Sequence, residues 1–396
     1  MFTKVRELVR KPKPSKPNEA ALPHNGAPIA AAEPARPEQL REVFKLAPLG
    51  TSTAARTDPP NIPFTSNLVS VSTFTIPANR AVQLLVAACE DGIWFGRAAD
   101  PGSVKLSIAL PKVTACVLMP EEEALLVISD RELLLFSTQC LPPGQAKSPL
   151  QKLDKNVDSL ITTFLQGKQM VVYSTRKGGD YKVHVFEPAE DGDLPHASFE
   201  KLHELSITSP FTSLHPLTSR LALPCAFHWE LLDPSRFRSE HVAHPKKPVS
   251  GRVRREDVGR GLGCVELTGE VLLLVYDEYG AILDRTSKQV VRSTVWKNKV
   301  SRAAFRPPYV LLFGASMVEV RHMGTLELVQ LLQAEGVRCL SLPMQVRPKR
   351  ERLENWEGEG GEEVGVGAAA AAEEVWACMS AGVGGEGQRI VRLSRA

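Results

Sequence analysis

A short two-strand pattern recurs seven times along the chain and constrains its fold more than any other feature. It is clearest where two apolar runs, 84–89 and 93–96, flank Glu90-Asp91-Gly92. Asp-Gly between apolar runs is a strong hairpin signal, because glycine accepts the positive φ that a tight turn demands. Six further turns are centred near Asp130, Gly178, Ala226, Glu278, Ala315 and Gly382. Their flanking runs are short and rich in aliphatic and aromatic residues, which favours strands over helices.

The spacing of these hairpins predicts the architecture. Successive turns lie 37 to 52 residues apart, except for a last gap of 67 residues that contains the Arg-, Glu-, Gly- and Ala-rich stretch 344–374. A further candidate strand precedes each hairpin, at 68–76, 113–118, 159–165, 202–207, 264–268, 300–305 and 337–342. Four strands at such a period are typical of a propeller blade. We predict an all-β, seven-bladed β-propeller rather than a large β-sandwich, for which the regular spacing has no explanation.

A ring of blades must be closed. The seventh hairpin ends with 389–393, close to the C-terminus, so the outer strand of that blade is missing from that end of the chain. We predict that 42–47 supplies this strand and pairs antiparallel with 389–394. The alternative is a seventh blade of three strands.

Two segments are too polar to join a packed core. Residues 1–62 form a basic, Pro-rich stretch that we predict to be a disordered linker, and 344–374 is predicted to be either a disordered insertion in the last blade or an artefact of the gene model. The linker carries a basic cluster of Lys4, Arg6, Arg10, Lys11, Lys13 and Lys16. This cluster is either a solvated charge run or a contact with anionic lipid, which contributes about 1 kcal/mol per basic residue near a membrane surface.

Composition excludes several classes of protein. The net charge is +3, with 48 basic and 45 acidic residues, so no global field favours nucleic acid. The seven cysteines are scattered without a C-x-x-C pair, which favours buried reduced thiols over disulfides or a zinc site. No secretory signal and no apolar run of membrane-spanning length are present. We expect a soluble cytoplasmic protein.

Motifs of catalysis and of cofactor binding are missing or out of context. The sequence Gly365 to Ala370 fits G-x-G-x-x-A but lies in a low-complexity run without the βαβ unit that a dinucleotide site needs. No Walker loop, G-x-S-x-G or H-E-x-x-H occurs. His241 and His244 lack an evident third ligand for zinc, and His322 is interpreted as a hydrogen-bonded histidine at a strand end. We therefore predict no cofactor and no enzymatic activity.

Three groups of side chains have both a structural and a functional interpretation. The turn acids Glu90, Asp91, Asp130, Asp277 and Glu278 either satisfy backbone donors or form an acidic rim for a basic partner. The loop arginines Arg252, Arg254, Arg255 and Arg260 are either solvated or a docking patch for an acidic surface. Trp94 and Trp296 are expected to pack between blades rather than to act as binding hot spots.

Longer segments carry a more specific signal. The sequence reads ACEDGIWFG at 88–96, YKVHVFEP at 181–188, SRLALPCAFHWELLDPS at 219–235, LLLVYDEYGAILDRTS at 272–287 and AFRPPYVLLFGASMVEVRHMGTLELVQ at 304–330. Together they resemble a citron homology (CNH) domain over 63–394, and the last segment is the strongest match. The nearest relatives that it suggests are fungal Rho-family guanine-nucleotide exchange factors.

This resemblance implies a seven-bladed propeller that serves as a regulatory and interaction module. It implies a non-catalytic role in Rho-type small-GTPase signalling, with a Rho-family GTPase or its regulators as partner, in the cytoplasm or peripherally at the plasma membrane. The alternative is a CNH-type scaffold in vesicle tethering or kinase regulation. Residues 1–60 lack the long amphipathic helices of a Dbl homology domain, so exchange activity is not expected. Phe227-His228-Trp229 replaces a small-residue turn in the fourth hairpin and is expected to reshape that loop.

Overall fold

Tight turns between apolar strands build the fold, as the hairpin pattern predicts. At the first turn, Gly92 has a φ of 148°, and a Cβ at this position would lie 2.2 Å from the carbonyl oxygen of Ile108. Only glycine allows the outer strand to approach this closely. The Asp-Gly signal therefore marks both a turn and a close packing of strands.

The computed structural model describes residues 43–48, 64–76, 79–142, 147–165, 167–189, 198–245, 259–341, 343, 375–380 and 388–395. These residues form 28 strands and two 3-10 helices, Pro120–Glu122 and Thr138–Cys140. Neither helix of this described part is long enough to cross a membrane. The strands are ordered into seven four-stranded antiparallel sheets, which are the predicted blades.

The strands are numbered along the chain, and β1 is Phe44–Pro48. Blade one is β2 (Leu68–Ile76), β3 (Asn79–Cys89), β4 (Gly92–Arg97) and β5 (Asp100–Ala109). Blade two is β6 (Val113–Met119), β7 (Ala124–Ser129), β8 (Glu132–Ser137) and β9 (Gln151–Lys155). Blade three is β10 (Val157–Leu165), β11 (Lys168–Lys177), β12 (Asp180–Pro188) and β13 (Phe199–Ile207).

Blade four is β14 (His215–Pro216), β15 (Leu221–Pro224), β16 (His228–Asp233) and β17 (Arg238–Ala243). Blade five is β18 (Gly261–Thr268), β19 (Val271–Tyr276), β20 (Tyr279–Asp284) and β21 (Gln289–Val295). Blade six is β22 (Val300–Arg306), β23 (Tyr309–Gly314), β24 (Met317–His322) and β25 (Leu328–Gln333). Blade seven is β26 (Arg338–Cys339), β27 (Val375–Ser380), β28 (Gln388–Arg395) and β1.

The core is divided into seven apolar clusters, and each cluster joins two neighbouring blades. One of them packs Leu85 and Trp94 of blade one against Trp376 of blade seven, which closes the ring. A single blade leaves both of its faces exposed, so burial between blades supplies the main driving force for folding. The apolar runs of the sequence correspond to strands that are buried on both faces.

The closing strand of blade seven comes from the N-terminal part of the chain. β1 pairs antiparallel with β28, with Phe44 opposite Arg395 and Pro48 opposite Val391. Phe44 is buried against blade six and meets the ring of Tyr309 edge to face at 5.8 Å. The buried Gln330 accepts hydrogen bonds from the backbone amides of Val43 and Phe44 and donates to the Phe44 carbonyl at 2.8 Å. These contacts link β1 to two blades at once.

One predicted strand belongs to a different blade. Residues 202–207 were predicted as the inner strand of blade four, but they lie in β13 and pair with β12 as the outer strand of blade three. The inner strand of blade four is the much shorter β14. It ends at Pro216, which has no backbone N–H to extend the ladder. The prediction was wrong because such a short strand leaves no apolar run in the sequence.

Some predictions lie outside the described residues. They include the linker 1–42 and the insertion 344–374, as well as the seventh turn near Gly382.

Candidate functional site

In each blade, a turn joins the second strand to the third. These turns lie on the same face of the ring as the connections that lead from one blade to the next. The first residue of β6, Val113, donates its backbone N–H to the carbonyl of Glu90 in the preceding turn. Val157 and Val300 make the equivalent bonds in later blades. We call this surface the hairpin face. It carries all of the sequence-predicted polar candidates that the structure describes, except His322.

The first turn uses its acidic residue to hold neighbouring chain in place. Asp91 accepts hydrogen bonds from the hydroxyls of Thr65 and Ser66 and from the indole N–H of Trp94. Burial alone would raise the pKa of Asp91, but these hydrogen bonds outweigh it and lower the pKa. Glu90 accepts a bond from the Asn67 side chain at 3.3 Å. Both residues therefore act mainly as structural acceptors.

The second turn is joined to its surroundings by exposed ion pairs. Asp130 lies 2.9 Å from the ammonium of Lys112, and Arg131 lies 3.0 Å from Asp158. Arg131 also donates to the backbone carbonyl of Arg176 in blade three. Exposed pairs of this kind contribute about 0–1 kcal/mol each.

The fifth turn is hydrogen-bonded to Arg260, one of the four predicted docking arginines, which directly precedes β18. Asp277 accepts the backbone N–H of Arg260 at 2.9 Å and pairs with Lys299 at 3.3 Å. The guanidinium of Arg260 is exposed and donates to the Ser301 carbonyl of blade six. Arg260 thus stands on the hairpin face between two blades. The other three loop arginines, Arg252, Arg254 and Arg255, lie outside the described residues.

The predicted lipid contacts also lie outside the described residues: Lys4, Arg6, Arg10, Lys11, Lys13 and Lys16.

The two tryptophans pack between blades, as predicted. Trp94 belongs to the cluster that joins blades one and seven. Trp296 belongs to the cluster that joins blades five and six, and its indole N–H donates to the Tyr276 carbonyl. A Cβ at Gly280 would lie 2.3 Å from the Trp296 ring, so this packing requires glycine there.

A buried ion pair in blade six is a feature that the sequence patterns did not reveal. Glu319 is 1% exposed and accepts two hydrogen bonds from the guanidinium of Arg321, at 3.0 and 2.9 Å. Its other oxygen accepts the backbone N–H groups of Lys297 and Asn298. Arg321 also lies over the Trp296 ring at 5.2 Å. All groups of this pair are satisfied, so it fastens the connection from blade five to blade six.

His322 follows this pair at the end of β24. Its ring lies 3.4 Å from the Thr325 hydroxyl and 6.2 Å from the centre of the Tyr309 ring. This is the hydrogen-bonded histidine at a strand end that the sequence predicts.

The turn of blade four contrasts with the others because it brings metal-ligating side chains together. Cys225, His228 and Glu230 each place one ligand atom within 4.8 Å of the other two. His241 is paired with Glu230 across the sheet, and its ring lies 4.2 Å from that of His228. His244 lies apart from this group, because it bonds to the Tyr276 hydroxyl and to the carbonyl of Cys225.

Sequence reasoning considered His241 and His244 but missed the group of three. The spacing Cys-x-x-His-x-Glu across a two-residue turn is the signal that was available, since paired and alternate strand residues share a face.

All seven cysteines are free thiols and six of them are buried. Burial raises the pKa of Cys116 to about 12 and that of Cys339 to about 11. Thiols with such pKa values are poor nucleophiles. The burial that the sequence predicts is found for all except Cys140, which is half-buried.

Comparison with known proteins places this geometry in a family. The family model of the CNH domain matches residues 81–342. The chain belongs to the CNH domain family. The match runs from β3 of blade one to β26 of blade seven, so it lies within the propeller and covers most of it.

Individual relatives agree with this assignment. The chain is 21% identical over 256 residues to Rho1 guanine nucleotide exchange factor 1 of Schizosaccharomyces pombe, a match that covers 59% of this chain and 19% of that protein. The chain therefore spans about a fifth of the length of this curated relative.

Solved structures show the same fold. The AfRom2 CNH domain matches with a TM-score of 0.58 at 16% identity, over 84% of this chain and 98% of that one. A chain of the mitotic checkpoint complex matches with a TM-score of 0.52 at 10% identity, over 96% and 99%. At these identities the likeness concerns the fold alone.

Proposed function

We propose that this CNH domain is a non-catalytic, regulatory protein-interaction module in Rho-type small-GTPase signalling. The observation that carries the proposal is the CNH family match over 81–342, together with the similarity to a Rho1 exchange factor. The similarity concerns only a fifth of that relative, so the exchange reaction of the whole protein is not transferred to this chain. The role assigned here is binding.

The architecture suits a rigid binding platform. Apolar clusters fasten each blade to the next, and β1 is bonded both to blade seven and to Gln330 of blade six. A closed ring of this kind presents its loop surfaces without rearrangement.

The partner contact that we propose consists of Arg260, which lies on the hairpin face, and the three arginines that precede it in the sequence, Arg252, Arg254 and Arg255. The turn acids Asp91, Asp130 and Asp277 are engaged with neighbouring groups, which weakens the acidic-rim alternative. Arg260 is exposed beside the loop that contains Arg252, Arg254 and Arg255. Four arginines near one another would favour an acidic partner surface, and such complementarity mainly accelerates association.

The location that we propose is cytoplasmic, with peripheral contact to an anionic membrane through the basic cluster of residues 4–16. Sedimentation with phosphatidylserine vesicles tests this contact. Replacing the six cations of the cluster by glutamine should abolish co-sedimentation, and unchanged sedimentation would reject the lipid contact.

Binding to Rho-family GTPases is the direct test of the proposed function. The full chain is immobilised and offered purified GTPase loaded with GDP or with a GTP analogue. We expect capture in at least one nucleotide state and no acceleration of nucleotide release by the chain. Failure to bind in either state would remove the GTPase as partner and leave a kinase or tethering scaffold as the alternative role.

A charge-reversal variant locates the surface. Changing the four arginines to glutamate, Arg260→Glu among them, should weaken capture by roughly tenfold at low salt. The matched control is Arg236→Glu, an exposed arginine in the turn between β16 and β17, on the opposite face. Equal binding of both variants would reject the four arginines as the contact.

A further inference from the structure

The blade-four turn has a geometry that places three different ligand types on one side of the sheet. Cys225 and His228 flank the two-residue turn and are joined by a backbone hydrogen bond of 2.9 Å from the Cys225 amide to the His228 carbonyl. Glu230 lies two residues beyond His228 on the same strand. Paired residues and alternate residues project to the same face, so all three side chains point toward blade three.

The ligand atoms of this group are buried but not satisfied. His228 Nε2 and Glu230 Oε2 are both inaccessible to solvent and have no hydrogen-bond partner among the described residues. Glu230 as a whole is only 5% exposed. Buried polar atoms are normally paired, and an unpaired one lowers stability. A ring nitrogen of His228, a carboxylate oxygen of Glu230 and the Cys225 sulfur lie within 4.8 Å of one another, so two side chains with unpaired buried atoms meet at one thiol.

We propose that Cys225, His228 and Glu230 form a binding site for a divalent transition-metal ion, with zinc as the best fit. A sulfur, an imidazole nitrogen and a carboxylate oxygen together are the ligand set of Zn²⁺. Calcium and magnesium require oxygen ligands alone, so this set excludes them. The ion would satisfy both unpaired atoms at once.

The site has room to reach coordination geometry. Tetrahedral Zn²⁺ separates its ligand atoms by about 3.5 Å, so the widest separation, 4.8 Å, has to close by roughly 1 Å. His228 is half-buried at the end of a strand, and rotation of its side chain provides most of this movement. The fourth ligand would be a water molecule or the neighbouring His241, whose ring centre lies 4.2 Å from that of His228.

In metal-free protein the sulfur of Cys225 is a thiol. Burial and the nearby Glu230 raise the pKa of Cys225 to about 12. On binding, Zn²⁺ replaces this proton, which passes to the solvent, and the thiolate becomes the ligand. The bound ion would then fix the turn that carries the exposed Phe227.

Metal content is the first test, on the full chain purified without chelator. We expect about one zinc per chain and a rise in apparent Tm of a few degrees when zinc is restored after chelation. His228→Gln, Glu230→Gln and Cys225→Ser should each weaken zinc binding by more than roughly tenfold, because even outer residues of metal sites matter by that factor. The matched controls, His203→Gln and Cys140→Ser, should bind as the wild type does.

A second measurement does not depend on how well the variants fold. Cobalt(II) added to the wild-type chain should produce a thiolate-to-cobalt charge-transfer band, and zinc should displace it. A wild-type chain with no bound zinc, no Tm shift and no cobalt band would overturn the proposal. So would site variants that bind zinc as tightly as the two controls.

Discussion

Blades four and six bury a glutamate at the same position, yet the two residues have opposite surroundings. Glu230 is the third residue of β16 and Glu319 is the third residue of β24, and both strands are the third of their blade. Glu319 has both oxygens hydrogen-bonded, through Arg321 on its own strand and two amides of the entering connection. Glu230 has an oxygen without a partner in the described part of the chain.

This comparison shows that the groups around a buried carboxylate determine its role. In blade six, the connection from blade five brings the amides of Lys297 and Asn298 to the carboxylate. In blade four, the residues near Glu230 include Cys225, His228 and His241. Their side chains are of types that can bind a metal ion, and none of them has to donate a hydrogen bond to the carboxylate. Equivalent positions therefore hold a structural ion pair in one blade and a candidate metal ligand in the other.

The largest effect is expected from Glu319→Gln. The amide keeps the shape of the side chain but leaves the buried Arg321 without its carboxylate. Removing one partner of a buried ion pair typically costs 3–5 kcal/mol, about the loss that we expect here in the free energy of unfolding. Denaturant unfolding at neutral pH measures it.

A second variant separates charge from shape. Adding Arg321→Met to the Glu319→Gln variant removes the unpaired buried cation. This second change should restore part of the lost free energy of unfolding. A cost below about 1 kcal/mol for Glu319→Gln alone would show that the pair is not what fastens the connection.

Acid should destabilise blade four through His215. This residue is buried beside Trp229, and burial, followed by the charge of Arg302, lowers its pKa to about 3. The unfolded chain binds the proton near pH 6.5 and the folded chain does not, so stability falls as the pH drops from about 6.5 toward 3. Between pH 7 and 4.5 the loss attributable to His215 is about 3 kcal/mol.

The measurement compares unfolding free energies of the wild type and His215→Gln at both pH values. The unfolding free energy of the wild type, relative to that of His215→Gln, should fall by about 3 kcal/mol between pH 7 and pH 4.5. The control is His203→Gln, whose half-buried ring lies in blade three. Parallel curves for the wild type and His215→Gln would contradict the prediction.

The sequence predicted the fold better than the polar sites, and the reason is physical. Apolar runs such as those of β3 and β7 reveal strands because burial depends on local composition and spacing. Glu319 and Glu230 look alike in the sequence, since each is a glutamate between two apolar residues, Val318 and Val320 in one strand and Trp229 and Leu231 in the other. Part of what surrounds them comes from other strands and connections, namely the amides of Lys297 and Asn298 for Glu319, and Cys225 and His241 for Glu230.

Blade four shows this limit most clearly. The sequence pattern identified an unusual fourth turn at Phe227-His228-Trp229 but assigned 202–207 to the wrong blade. In the structure, the hairpin brings Cys225 and Glu230 beside His228. The sequence analysis considered only His241 and His244 as metal ligands and did not predict this group. Only the register of β15 and β16 makes the group evident.

The smallest effect is expected from Glu230→Gln, the same change at the equivalent position of blade four. In metal-free protein no charged partner is stranded, because no described residue is bonded to Glu230 Oε2. The unfolding free energy should therefore change by no more than about 1 kcal/mol, several times less than for Glu319→Gln. With zinc present, the wild type should gain stability and the variant should not, which widens the difference between them. A metal-free loss as large as that of Glu319→Gln would mean that Glu230 is also a structural carboxylate, and the contrast between the two blades would disappear.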